Sequence, residues 1–205
     1  YWPAKQGRDA LKVEWDTSAV DKPDTAQMLA QYRELAAKPG TVAMQADVAP
    51  LAGAPRKISA EFVFPYLAHA PMEPLNCTVK LEADKAELWM GTQMPGLDAM
   101  AAAKTLGLPP QNIKVNTQMA GGGFGRRAIP TSDYVVEACG VAKAVRAAGL
   151  DAPVRTLWSR EDDVKGGYYR PMHVHRAEIG FDDKGNILAW DHVIVGQSIT
   201  KGSPF

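Results

Sequence analysis

Four glycines followed by two arginines, in the run Gly121-Gly-Gly-Phe-Gly-Arg-Arg127, have the composition of an anion grip. Glycine removes the Cβ that would hold a ligand off the peptide groups, and it permits positive φ, so successive N–H groups can converge on one oxyanion. The two arginines at the exit offer charge-assisted, bidentate hydrogen bonds to the same ligand. The plainer alternative is a tight surface turn with two solvated arginines.

Gly123-Phe-Gly125-Arg-Arg-Ala128 also satisfies the G-x-G-x-x-A dinucleotide pattern between a predicted strand and a predicted helix. Two details count against that reading. Residues 114–118 alternate polar and apolar, whereas a first Rossmann strand is buried on both faces and runs continuously apolar. Pro130 also delays the helix, so its N-terminus would not lie directly under a pyrophosphate.

A second run, Tyr66-Leu-Ala-His-Ala-Pro-Met-Glu-Pro-Leu-Asn76, sets His69 and Glu73 four apart between prolines that forbid a regular helix. It reads as a stiff loop that holds polar groups for a ligand, or as an ordinary rigid loop in which Glu73 caps a backbone amide. His173 and His175, at i and i+2, share a strand face and have the residue type for metal binding, but no third ligand is evident nearby, and solvated or packed imidazoles are the plainer reading. Asp162 and Asp163 resemble a loop charge pair, and no Ser-His-Asp triad emerges from the spacing.

The elements that must position these groups follow from periodicity. A helix is predicted over 25–38, capped by Asp24 or Thr25. Strands are predicted over 42–48, 57–65, 76–83 and 85–92, with a hairpin tip at Ala83-Asp84. Residues 95–106 read as a helix with Gly107 at C′, and 112–119 as the strand that enters the glycine loop. A helix over 131–148 follows, with Thr131 or Ser132 as cap, an apolar stripe of Val135, Val136, Ala138, Val141 and Val145, and Gly149 at C′. A strand over 154–159 precedes a hairpin of 173–181 with 187–195 turned at 182–186.

The 205 residues are 46% hydrophobic and 22% charged, ordinary for a globular chain, with 23 basic against 23 acidic residues. No global field recruits nucleic acid, and any anion site must be local. Apolar stretches fall far short of the ~20 residues a spanning helix needs. Cys77 and Cys139 are too few and too isolated for a disulfide framework or for iron–sulfur ligation, and read as buried thiols. The opening Tyr1-Trp2-Pro3 and a close at Lys201 to Phe205 in mid-strand context suggest a fragment.

In order, His69-Ala-Pro-Met-Glu73, Gly91-Thr-Gln93, Leu106-Gly107 with Pro109, residues 113–115, residues 121–125, Trp158-Ser-Arg-Glu-Asp162 and Tyr169-Arg-Pro171 resemble the large, molybdenum-binding subunit of the xanthine dehydrogenase and aldehyde oxidoreductase family, most of all its isoquinoline 1-oxidoreductase beta-subunit branch. The likeness spans about residues 57–196, and the ordered set is far more specific than any one motif. It implies an α+β fold, mixed sheets with packed helices. Residues 1–16 would be the end of a preceding hammerhead-type domain, 17–40 a linker and helix, and 41–205 a first molybdopterin-binding domain.

The resemblance further implies a molybdenum–molybdopterin cofactor, in its cytosine dinucleotide form, held in part by Gly122, Gly123, Phe124, Gly125 and Arg126, with the metal carried by the pterin rather than by protein ligands. Arg170 and His69 would shape the substrate side. The expected reaction inserts a water-derived oxygen into an aldehyde or N-heteroaromatic C–H bond. Electrons would pass to a separate small [2Fe–2S] subunit and onward to a cytochrome c subunit or a quinone, in the bacterial periplasm or cytoplasm. The other partners are the remainder of the large subunit and a small-molecule substrate, with no nucleic acid.

Departures from the family pattern shape these expectations. Ala128 stands where xanthine-type enzymes carry a substrate-contacting Glu, which argues against a purine. Leu67 replaces a Gln, and Arg126 replaces a Gly, adding a cation for a phosphate or carboxylate. The family's general-base Glu, in a Gly-x-Gly-Glu context, has no counterpart here, so it is expected outside this chain and the fragment alone is expected to be inactive. The competing readings are a phosphate- or nucleotide-binding module without metal, and an inert folding fragment.

Overall fold

A computed structural model describes residues 1–199. The expected mid-strand context of 201–205 lies outside the described residues. In chain order the elements are α1 (Trp2–Asp9), α2 (Thr25–Ala36), β1 (Arg56–Phe64), β2 (Asn76–Leu81), β3 (Ala86–Met90), α3 (Pro95–Leu106), β4 (Ile113–Thr117), α4 (Asp133–Ala147), β5 (Val154–Leu157), α5 (Arg160–Lys165), β6 (His173–Phe181) and β7 (Ile187–Gly196).

The strands make two sheets among the described residues, one of order β1-β6-β7 and one of order β4-β3-β2-β5. The first is antiparallel throughout. In the second, β3 and β4 run parallel while β2 is antiparallel to both β3 and β5. A parallel pair cannot be joined by a tight turn, and α3 supplies the crossover. The mixed sheets with packed helices meet the α+β expectation.

The second sheet carries the core. Cys77, Val79, Ala86, Leu88 and Met90 from β2 and β3 pack against Ala102 and Leu106 of α3 and against Tyr134, Val135, Ala138, Cys139 and Ala142 of α4. Small residues on both helices allow close approach, and each large side chain removed from water contributes about 1.5–3 kcal/mol. Both thiols are free and buried, and burial pushes each pKa up to about 12, so they behave as small hydrophobes. This platform fixes the end of β4 and the start of α4, the two ends from which the glycine loop hangs.

Three sequence expectations change. Residues 42–48 form no strand; Val42 and Met44 are exposed, and apolar alternation without a neighbouring strand has nothing to pair with. Residues 1–16, whose sequence reads as a strand or a helix–strand end, instead form α1 followed by irregular chain in which Leu11, Val13 and Trp15 stay exposed; Arg8 bonds Asp162 at 2.8 Å. The buried stripe of α4 is Tyr134, Val135, Ala138, Cys139 and Ala142, leaving Val136 and Val141 outside, and Ser132 occupies the cap position at φ 48° without a side-chain capping bond. Gly107 and Gly149 end their helices in the left-handed region as expected.

Candidate functional site

Beneath the glycine loop lies a frame made by three side chains from distant segments. The Arg127 guanidinium, 1% exposed, donates to the carbonyls of Gly122 (2.8 Å), Gly91 (3.3 Å) and Glu73 (3.1 Å) and to Glu73 Oε2 (3.0 Å). Glu73 Oε2 also accepts from the Gly121 amide at 2.9 Å, the capping role that the sequence left open for it. Burial raises the Glu73 pKa, but the Gly121 amide, Asn76 and Arg127 outweigh it and hold the carboxyl below its ordinary value. On the other side Gln93 Oε1 accepts from the amides of Gly125 (3.1 Å) and Arg127 (3.2 Å). The Tyr134 hydroxyl bonds the Gly91 carbonyl at 3.0 Å and ties the frame to the core.

Close approach explains two of the glycines before any ligand is invoked. A Cβ on Gly121 would lie 2.5 Å from Glu73 Cβ, and one on Gly123 would lie 2.6 Å from Gln93 Oε1. The crest differs. Among the described residues the amides of Gly122, Gly123 and Phe124 have no protein acceptor, whereas Arg126 and Ala128 donate to Gly123 and Gly125 carbonyls. Gly122 has φ 101°, Phe124 φ 55° and Gly125 φ 96°, and the Phe124 ring is 77% exposed. The positive-φ non-glycines among the described residues, Ala70, Phe124 and Ser132, all fall in the loops at this site. Left-handed backbone at a residue with a Cβ costs about 1–3 kcal/mol, and such strain clusters where ligands are held.

Arg126 does not reach toward a ligand. Its guanidinium, 2% exposed, forks onto Asp133 at 2.9 and 2.7 Å, with the Trp158 ring 5.4 Å from Cζ. The expectation that both arginine side chains add charge to a bound anion therefore gives way: a buried guanidinium needs a fixed counter-charge, and each has found one in the protein. Arg126 can serve a ligand only through its backbone position.

His69 and Arg170 do come together. Paired backbone bonds between Leu67 and Arg170, at 3.2 and 2.9 Å, join their segments as a short antiparallel bridge. Arg160 pins the same loop by donating to the carbonyls of Pro71 (2.6 Å) and Met72 (3.0 Å). Pro71 abuts the crest, its Cβ standing 3.1 Å from where a Gly122 Cβ would be. Burial, then the charge of Arg126, lowers the His69 pKa against the pull of the Tyr168 backbone, so the imidazole is neutral at pH 7. Arg170 is exposed and forms no ion pair with Glu161 or Asp162; Asp162 instead caps α5 and meets Arg8.

Buried polar atoms in this neighbourhood without partners among the described residues include His69 Nδ1, Arg126 Nε and Asp163 Oδ1. The three open amides fit a bound group that presents oxygens, whereas Asp163 Oδ1, an acceptor, calls for a donor. A groove on the first sheet, lined by Ser59, Glu61, Arg176, Glu178, Asp191 and Val193, offers less, because Glu61 already pairs with Arg33 and Arg176. The roles of Gln93 and Arg127 as loop anchors had no local sequence signal: apart from the Gly122 carbonyl, their partners lie 32 to 54 residues away.

Residues 35–198 match the family model described as the molybdopterin cofactor-binding domain. The chain is 39% identical over 131 residues to the isoquinoline 1-oxidoreductase subunit beta of Brevundimonas diminuta, covering 63% of this chain and 16% of that protein. It is 28% identical over 148 residues to the aldehyde oxidoreductase molybdenum-binding subunit PaoC of Escherichia coli K12, covering 72% and 19%. Among solved structures, quinoline 2-oxidoreductase from Pseudomonas putida 86 superposes with a TM-score of 0.58 at 26% identity, over 71% of this chain and 18% of that one. The aldehyde oxidoreductase of Desulfovibrio gigas, at 18% identity and a TM-score of 0.55 over 74% and 16%, shares the fold. The chain thus spans less than a fifth of the length of these relatives.

Proposed function

The chain belongs to the molybdopterin cofactor-binding domain family, and from that premise we propose that it is the part of a molybdenum hydroxylase large subunit that grips the cofactor through the crest of its glycine loop. The observation that carries this reading is the set of three amides, Gly122, Gly123 and Phe124, left without a protein acceptor while the amides on both flanks are anchored. Gly122, Gly123, Phe124, Gly125 and the Arg126 backbone form the cofactor contact. Residues 1–16 are read as the end of a preceding hammerhead-type domain, 17–40 as linker and helix, and 41–205 as the first cofactor-binding domain.

When bound, the cofactor supplies a two-electron oxidation in which a water-derived oxygen replaces hydrogen on carbon. What this chain adds is orientation and fixed dipoles. The crest amides donate to oxygens of the bound group, and a preset donor needs no rearrangement as charge develops. Arg170, without a counter-ion among the described residues, offers positive charge to a carbonyl or heterocycle, and neutral His69 offers a hydrogen bond rather than a second charge. Ala128 leaves room and no carboxylate, which suits aldehydes or N-heteroaromatics rather than purines. The general base would come from elsewhere in the polypeptide, and the electrons would leave through a [2Fe–2S] subunit to a cytochrome c subunit or a quinone. The cytosine dinucleotide is the proposed form of the pterin.

The test is molybdenum and released nucleotide measured on the full-length large subunit purified from its native host, wild type beside Gly123→Val. Near-stoichiometric molybdenum with CMP is expected in the wild type and none in the variant, whose side chain would displace Gln93. Normal loading of the variant would sink the assignment of the loop.

A further inference from the structure

Three of the chain's four histidines stand on one face of the three-stranded sheet. His173 and His175 alternate onto that face of β6. The register, which sets Ala177 opposite His192 and His175 opposite Ile194, brings His192 of β7 to the diagonal position beside His175. His175 Nδ1 and His192 Nε2 are 3.1 Å apart. The ring of His173 lies 6.0 Å from that of His175, and Phe64 of β1 packs on His175 in an edge-to-face arrangement with ring centroids 5.0 Å apart.

That nitrogen separation has a second use besides an N–H···N hydrogen bond. Two imidazole nitrogens each ~2.0–2.1 Å from one ion, at angles between those of square and tetrahedral sites, stand about 2.9–3.4 Å apart. The rings are held by a sheet rather than a loop, so most of the ordering is already done before an ion arrives. His192 is exposed and His175 half-buried, leaving an open approach from solvent.

We propose that His175 and His192 form a two-imidazole clip for a divalent cation of the Ni²⁺, Cu²⁺ or Zn²⁺ class, with water completing the coordination. Imidazole suits these ions, whereas Mg²⁺ and Ca²⁺ call for oxygen ligands. Among the described residues no group of three or more His, Cys, Asp or Glu is arranged around one ion, so the clip is an open, exchangeable site rather than a closed structural one. Binding needs each ring in the tautomer with its lone pair at the facing nitrogen and its proton at the far one; no bond between heavy atoms changes. The clip lies on a different sheet from the glycine loop and does not depend on the cofactor reading.

Titration of the untagged 205-residue chain with Ni²⁺ by calorimetry tests this. One ion per chain is expected, with His175→Gln and His192→Gln each weakening it at least about tenfold, a loss of ~1.4 kcal/mol in binding. Absence of binding at millimolar Ni²⁺, or wild-type affinity retained in both variants, would overturn the clip. Should a variant melt differently from wild type, proton spectra of the wild type decide instead: Ni²⁺ must broaden the His175 and His192 ring signals before that of His69, and equal broadening of all rings would count against the site.

Discussion

The flanks of the glycine loop and its crest are built from the same short run of residues yet treat their amides in opposite ways. On the flanks, Gly121 donates to Glu73, and Gly125 and Arg127 donate to Gln93, so backbone polarity is spent inside the protein. At the crest, Gly122, Gly123 and Phe124 donate to nothing in the described chain. Water can satisfy an open amide, but once a ligand covers it an unmet donor costs about 1–3 kcal/mol, so any group seated there must bring acceptors. The comparison teaches that the glycines do two jobs. Gly121 and Gly123 let the frame approach, while Gly122 and Gly125 supply positive φ that shapes the crest.

The strongest way to break the contrast is to remove the frame. Arg127→Ala would orphan three carbonyls and the Glu73 carboxylate and should cost about 3 kcal/mol or more, read as a lowered urea midpoint at unchanged slope. Smaller is Gln93→Ala, which leaves two flank amides without their shared acceptor; about 1–3 kcal/mol is expected on the same measurement. A loss within 0.5 kcal/mol for both would mean that the loop stands without its anchors.

Acid sharpens the contrast by releasing one flank alone. The Glu73 carboxyl is held below its ordinary value of 4.5, so the folded state binds its proton less readily than the unfolded state does. The stability it contributes is complete above pH 4.5 and is lost as pH falls through the lower folded value. The difference in melting temperature between wild type and Glu73→Gln should therefore be constant from pH 7 to 5 and shrink below 4.5. A difference that stays flat down to pH 3 would show that the Gly121 anchor does not depend on charge.

Much of this fold was legible in the sequence because it rests on local rules. The β6–β7 hairpin has two strand-length runs about a polar turn at 182–186, and α3 has Gly107 where a left-handed C-terminal residue belongs. The loop itself was legible as glycine between strand and helix. Residues 42–48 misled, since alternation states a preference and pairing needs a neighbour. Arg126 misled as well: arginine after a glycine run looks like a ligand's counter-charge, and only the fold shows Asp133 filling that place. Of the frame only the capping by Glu73 was legible, and not its partner, because Glu73, Gln93 and Arg127 meet through tertiary structure and no spacing rule links them.

Residue-resolved amide exchange on the full-length subunit, cofactor-loaded against cofactor-stripped, tests the division between flank and crest most directly. The account predicts that Gly122, Gly123 and Phe124 gain protection on loading while Gly121, Gly125 and Arg127 are protected in both states. Crest amides that exchange equally fast with and without cofactor, or protection that appears only on the flanks, would contradict it.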